Sequence, residues 1–218
     1  MPQVGLGTIW LARGAHPGSP DGCVMEWVAL FAGLPKTDRP ACTNAVVASV
    51  AMHLNDALDD ESRQGLKALI PDLAAAVRTP DDSRVDRRLA LWFARSMPAP
   101  ESAPLRTQRD AALTAAGGYL DGRVTETACR AAAAAAAEAG ARVGSVALYV
   151  AADAAHAAVA DDPGPAVFNA AAGAVDRALG SGDPVGWLRR LLSAHALALT
   201  AEGRPEIARL EEVMCCPA

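Results

Sequence analysis

Aromatic residues are scarce in this chain, with three Phe, four Trp and two Tyr among 218 residues. Strands draw on aromatic and β-branched side chains, so the scarcity argues against a β-sandwich or barrel. Long apolar runs are missing too. None approaches the roughly 18 to 20 residues that a helix needs to cross a bilayer. The segment Val4–Leu11 is too short for a secretory signal and has no basic leader. Positive charge is not in excess, since 25 Asp and Glu outweigh 20 Lys and Arg for a net charge of −5. An acidic balance is the wrong sign for general attraction to nucleic-acid phosphates. Cysteine is sparse and odd in number: Cys23, Cys42, Cys129, Cys215 and Cys216. No disulfide framework is expected from such a set, and the reading is a cytoplasmic protein with reduced thiols. The adjacent pair Cys215-Cys216 lacks the two intervening residues of a thioredoxin-type motif.

The chain is 51% hydrophobic yet only 4% aromatic, and alanine fills most of the difference. Alanine has the highest helix propensity, so the expectation is an all-α helical bundle with an N-terminal helical hairpin and alanine-rich C-terminal helices. After a short extended segment over 4–12 and a Gly/Pro-rich loop over 13–22, Ser19-Pro20 reads as a cap and first turn for a helix reaching Ala32. Gly33 and Pro35 end it. Thr37 or Asp38 caps the next helix, with Pro40 in its first turn, and it runs to Leu58. Asp59 or Asp60 starts a third, interrupted near Pro71. A fourth spans 82–97. Pro98–Pro104 reads as a linker, followed by helices over 105–118, 124–140, 143–160, 165–179, 184–201 and 205–213. The run Ala131–Ala137 is expected to be ordered helix. This divides the chain into an N-terminal region, 1–97, and an alanine-rich region, 105–218, packed on it as one domain.

Reactive side chains concentrate in the first sixty residues. On a helix starting near Cys23, Glu26 lies one turn on, at the margin of an apolar face made by Val24, Trp27, Val28 and Phe31. On the next helix Cys42, Ser49, His53 and Asp56 fall within about 60° of one another, beside the apolar stripe Val46, Val47, Val50 and Leu54. A short connection from Gly33 to Thr37 returns the chain as an antiparallel hairpin. That register sets Cys23 level with Ala48 and Ser49, and staggers Cys23 and Cys42 by roughly 9 Å. Cys23, Glu26, Ser49 and His53 are then expected to meet, with His16 and Asp21 folding over from the loop and Asp56 at the far end. Such a group suits a Cys23 nucleophile with His53 as base. It equally suits Glu26 as a general acid/base raised by apolar neighbours. The alternative is structural: Cys23 as a small core residue, His53 at a solvated edge and Glu26 partnered by an arginine such as Arg63.

His16, Cys23 and Cys42 could supply three zinc ligands, and Cys23-Val-Met-Glu26 with Pro40-Ala-Cys42 looks like a zinc-deaminase pattern. The match fails, because the first element is one residue too long and no second cysteine follows Cys42 at the required spacing. No metal is expected. His156 and His195 lie singly in helices and read as surface or satisfied core residues. Arg84, Arg87, Arg88 and Arg95 read as a solvated helix face paired with Asp81, Asp82 and Asp86, against a phosphate- or partner-binding role.

The segments Gly14-Ala-His16, Asp21-Gly-Cys-Val-Met-Glu26, Ala32-Gly33, Asp38-Arg-Pro-Ala-Cys42, Asn55-Asp56 and Arg63 together resemble a family of small uncharacterised proteins from actinobacteria and their phages. Its members carry a similar His…Asp-Gly-x-Cys-x-Met-Glu segment, then Ala-Gly, Ser-Asp-x-Pro-x-Cys and Trp-Asn-Asp. Here Thr37 stands where serine is usual and Leu54 where tryptophan is usual, which keeps a cap and an apolar anchor. The specific resemblance covers the first 75 residues. It implies a shared architecture and a shared N-terminal site, with no substrate attached.

The leading functional expectation is a small enzyme, free of cofactors, acting on a small molecule or modified peptide. Its catalytic residues are Cys23, Glu26 and His53, and its binding residues are His16, Asp21, Ser49 and Asp56. The rival is a non-catalytic ligand-binding or phage–host interaction protein whose N-terminal motif locks the fold. Neither reading involves nucleic acid or a membrane, and both allow an oligomer.

Overall fold

Helix α1 (Val24–Phe31) starts at Cys23, not at Ser19-Pro20. The reason is a capping box: the Glu26 carboxylate accepts the Cys23 backbone N–H at 2.8 Å, while the Cys23 sulfur receives the Glu26 N–H. Two of the donors that a helix start leaves over are thereby satisfied. The structure, a computed structural model, describes residues 8–14, 19–79 and 82–202. It is all-α, with no strand among the described residues beyond two isolated bridges, Leu11 with Gly22 and Thr43 with Val77. The extended segment expected over 4–12 is described from Thr8 onward, and the expected helix over 205–213 lies outside the described residues.

After α1 the chain turns at Gly33, whose φ of +74° a side chain would strain. Helix α2 (Ala45–Ala57) follows only at Asn44. The Asn44 carboxamide oxygen accepts from Val46 and Val47 N–H at 3.0 and 3.1 Å, so the cap lies seven residues beyond Thr37. Residues 40–43 turn instead, and the Thr43–Val77 bridge holds them through Asn44 N–H to Ala76 O and Arg78 N–H to Cys42 O, each 2.8 Å. Helix α3 (Asp60–Gln64) is capped by Asp59 as expected. A 3₁₀ turn over Gly65–Leu69 then leads into α4 (Ile70–Ala75). The break expected near Pro71 falls just before it: α4 begins anew at Ile70, and Pro71 occupies its first turn, where its missing N–H has no intrahelical partner to lose.

The described chain forms two compact units. The first holds residues 8–79 and returns at 178–202, so that α10 (Pro184–Ala201) packs on α2 and on the 3₁₀ turn, while α1 packs on α4 and α2. Leu11, Met25, Leu54, Leu66, Leu69, Ile70, Leu73 and Leu188 are fully buried there. The second holds residues 82–177: α5 (Asp82–Ser96), α6 (Ala103–Leu120), α7 (Glu126–Val143), α8 (Val146–Val159) and most of α9 (Gly164–Leu179). Thus α5 belongs with the alanine-rich helices and α10 with the N-terminal ones, a division the order of elements along the chain does not reveal.

Helix α8 is the centre of the second unit, packed by α5, α6 and α7. The alanine run is helical, as expected: Ala133, Ala136 and Ala139 are buried while Ala131, Ala134 and Ala135 face solvent. Small faces bring backbones close. A Cβ on Gly140 would sit 3.2 Å from Leu148 Cβ, and one on Gly173 would sit 2.7 Å from Val150 Cγ2. Among the described residues no helix is long and apolar enough to cross a membrane.

Candidate functional site

The N-terminal motif converges on the start of α1, and the side chain that gathers it is Asn55. Asn55 is fully buried, and its Oδ1 accepts the Val24 N–H at 3.1 Å. Its Nδ2 donates to Ala12 O at 2.9 Å and to Asp56 Oδ1 at 3.0 Å. Asp56, exposed at the end of α2, uses that same oxygen to accept the Gly14 N–H at 2.8 Å. The strand-like segment before the loop is fastened a second time by Gln64, which exchanges hydrogen bonds of 3.1 and 2.9 Å with the N–H and C=O of Leu11.

Arg63 sits beneath this knot with 2% of its surface exposed. It donates to Asn55 O, Leu58 O and Asp60 Oδ1, each at 2.6 Å. The first two are carbonyls at the end of α2, where orphaned acceptors and the negative end of the helix dipole favour a cation. Arg63 is therefore not a partner of Glu26. That place is taken by Lys36, whose Nζ lies 4.0 Å from Glu26 Oε1 and donates to Ser19 O at 2.8 Å and Asp21 O at 2.5 Å. One ammonium thus ties the loop carbonyls to the buried carboxylate of the capping box.

The expected catalytic pair does not form. Cys23 is 3% exposed at the α1 start, whereas His53 is exposed on α2, and among the described residues no hydrogen bond joins them. The cause is register: the connection spans residues 32–44 rather than 33–37, so the α1 start meets Asn55 rather than Ser49. Residues 53 and 55 diverge by about 200° around the helix, and only Asn55 can face α1. Cys42 lies outside α2, which removes it from the stripe drawn through Ser49, His53 and Asp56. Ser49 is half-buried on α2 and Asp21 is exposed in the loop, held by its own backbone. His16 lies outside the described residues. Of the expected set, the structure brings together Cys23 and Glu26, links Asp21 to them through Lys36, and joins Asp56 to the loop.

Burial pushes the Cys23 thiol up to about 11, and the nearby Glu26 charge adds to the rise against the backbone N–H groups that favour the thiolate. A nucleophilic cysteine needs the opposite environment. Cys129 is likewise a buried thiol raised by desolvation, with its sulfur 3.4 Å from Ala155 O. Cys23, Cys42 and Cys129 are all free. Among the described residues no cluster of three or more His, Cys, Asp or Glu could hold a metal ion. His156 is exposed, as a surface reading expects, and His195 is buried.

The residues that sequence reasoning under-weighted are Asn44, Asn55, Arg63 and Gln64. Asn55 stood in the quoted segments without a role, and Arg63 stood there as the expected partner of Glu26. A usable signal was present, because an Asn at either end of an apolar helix competes poorly as a helix former and well as a backbone hydrogen-bonder. No family model, curated protein or solved structure matches this chain.

Proposed function

We propose that this chain is a non-catalytic binding protein for a small molecule or peptide, and that its N-terminal motif is a fold lock. The observation that carries this reading is the structural employment of Glu26, Asn55 and Arg63 within the motif, together with Lys36. Glu26 closes the capping box, Asn55 caps α1 from another helix, Arg63 caps α2, and Lys36 holds the loop. Glu26, Asn55 and Arg63 engage backbone groups that would otherwise be buried without a partner, and Lys36 gathers loop carbonyls nearer the surface, which accounts for their identities without any substrate. The enzyme reading with Cys23, Glu26 and His53 draws less support, because the thiol is buried, raised and away from the imidazole. The resemblance to actinobacterial and phage proteins fits a shared fold lock as readily as a shared site.

The test is the alkylation rate of each thiol against pH, followed by peptide mass spectrometry. The half-buried Cys42 should react before Cys23 throughout the neutral range, and Cys23 should resist until the fold opens. Rapid modification of Cys23 as a thiolate below the free-thiol value of roughly 8.5 would restore the nucleophile and overturn the reading. In parallel, Glu26→Gln should lower the thermal midpoint. The amide keeps an acceptor for Cys23 N–H but removes the charge beside Lys36, an exchange costing roughly 1 to 3 kcal/mol.

A further inference from the structure

Trp10 is the most exposed aromatic side chain among the described residues, with 53% of its surface open between Ile9 and Leu11, which are only 4% and 0% exposed. Its backbone is nonetheless held from several sides. Trp10 O accepts the Trp27 Nε1–H at 3.3 Å, Gln64 bonds both backbone groups of Leu11, and Ala12 N–H donates to Gly22 O at 2.9 Å. Lys67, half-buried on the 3₁₀ turn, sets its Nζ 5.3 Å from the centre of the Trp10 ring. We infer that Trp10 and Lys67 form the docking point for an acidic peptide segment in which a carboxylate neighbours a proline. The inference rests on the binding-protein reading and names the partner and the surface it uses.

The first argument is preorganisation. Burial of the residues on either side turns Trp10 outward, because successive side chains of an extended segment point to opposite faces. The clamps on Leu11 and Ala12 then hold it there. A ring fixed by its own backbone loses little freedom on binding, and tryptophan is among the side chains that dominate interfaces. The second argument is charge. Among the described residues no carboxylate pairs with Lys67, whose ammonium lies over the Trp10 ring. The carboxylates of the neighbouring elements are engaged elsewhere: Asp56 holds the Gly14 N–H and Asp60 pairs with Arg63. Lys67 is therefore a cation without a counter-ion in a chain whose overall charge is −5.

The openness of the surface selects the kind of partner. Small molecules favour concave sites that bury most of their area, and a ring half in water does not provide one. An extended peptide can continue past the ring onto Trp27, which is half-buried on α1 with Leu30 and Phe31 one turn further on. Proline suits the indole because it brings a preformed extended conformation and no N–H to satisfy, which is how aromatic surfaces read polyproline II segments. A carboxylate on the adjacent residue reaches the Lys67 ammonium in a charge-assisted hydrogen bond.

The experiment is isothermal titration of the full chain with three capped peptides, Pro-Glu-Pro-Glu-Pro, Pro-Gln-Pro-Gln-Pro and Ala-Glu-Ala-Glu-Ala. Saturable binding of the first, weakened by salt, is expected, with the other two at least about tenfold weaker. Lys67→Gln should weaken the first peptide about tenfold and leave the glutamine peptide unchanged, the loss of one charge-assisted hydrogen bond. Trp10→Ala should weaken the first peptide by about tenfold or more. The fold should survive that change, since the Trp27 acceptor and the Leu11 clamp are backbone groups, and circular dichroism checks it. Arg142→Gln, at an exposed pair on α7, should leave affinity unchanged. Absence of saturable binding, equal binding of the glutamine or alanine peptide, or affinity indifferent to Trp10→Ala and Lys67→Gln in folded protein overturns the proposal. Dimerisation in light scattering that Trp10→Ala abolishes, without peptide binding, overturns it in favour of a second copy of the chain. None of these results alters the thiol profile of Cys23, so the two readings fail separately.

Discussion

Replacing Asn55 by alanine removes one side chain but orphans groups on two other segments. Val24 N–H is buried in the first turn of α1 and has Asn55 Oδ1 as its acceptor, at 3.1 Å. Leaving such a donor unsatisfied costs roughly 1 to 3 kcal/mol. Ala12 O loses its 2.9 Å donor but is partly exposed, so water replaces it and the loss is nearer about 1 kcal/mol. The sum is about 2 to 4 kcal/mol. For a chain of this length that lowers the midpoint by roughly 4 to 16 °C.

Scanning calorimetry reads this, and hydrogen exchange reads the mechanism, since protection of the Val24 amide should fall with the midpoint. Asn55→Asp is the informative companion. It keeps the acceptor for Val24 but loses the donor to Ala12 O, and it sets a carboxylate where an amide now lies 3.0 Å from Asp56 Oδ1. It should destabilise at least as much as alanine at neutral pH. Repulsion raises the carboxyl values of that pair in the fold, so the unfolded chain holds fewer protons and stability falls as pH rises. The variant should therefore recover on acidification, which the alanine variant should not. A midpoint change for Asn55→Ala of less than about 1 °C would refute the account of Asn55 as the keystone.

Arg63 offers a second measurement by urea titration. Arg63→Ala leaves two carbonyls at the end of α2 without their donor and should cost about 3 to 5 kcal/mol, whereas Asp60→Ala, at the exposed end of the same ion pair, should cost less than about 1 kcal/mol. Comparable losses would mean that the ion pair, not the capping, matters. In the second unit, burial on α8 raises the Asp153 carboxyl against the opposing His156 charge and Asn169 hydrogen bond. Between the unfolded value near 3.8 and the raised folded value, the native state holds more protons. Stability from this group therefore falls as pH rises through that window, and Asp153→Asn should raise the neutral-pH midpoint and flatten the acid side of the profile.

The all-α class was legible because it depends on composition and period, and the C-terminal helices were legible because Gly and Pro punctuate them. Helix boundaries in the first sixty residues were less so. Ser19-Pro20 and Thr37 with Pro40 both look like helix starts, yet the caps in use are Cys23 and Asn44. Cap preference is worth about 1 kcal/mol, so the long-range partners of the alternatives decide: Thr43 pairs with Val77, and Ser19 and Asp21 surrender their carbonyls to Lys36. An error of several residues in a helix start shifts the register of everything on it. That shift placed Ser49 and His53 opposite Cys23, where the structure has Asn55.

The clustering of polar residues near the N-terminus has a physical origin in element length. Helices α1, α3 and α4 have 8, 5 and 6 residues, whereas α6, α7 and α10 each have 18. Every helix end leaves backbone donors or acceptors over regardless of helix length, so short helices concentrate unsatisfied groups in a small volume. Where those ends are buried, side chains must serve them. Glu26, Asn44, Asn55, Asp59 and Arg63 all bond helix-end backbone, and Gln64 bonds that of the extended segment at Leu11. The long alanine helices have fewer ends per residue, and a few arginines serve them: Arg87 and Arg130 bond carbonyls at the end of α8, and Arg109 those at the end of α5. In this chain a dense polar motif therefore marks where backbone needs partners.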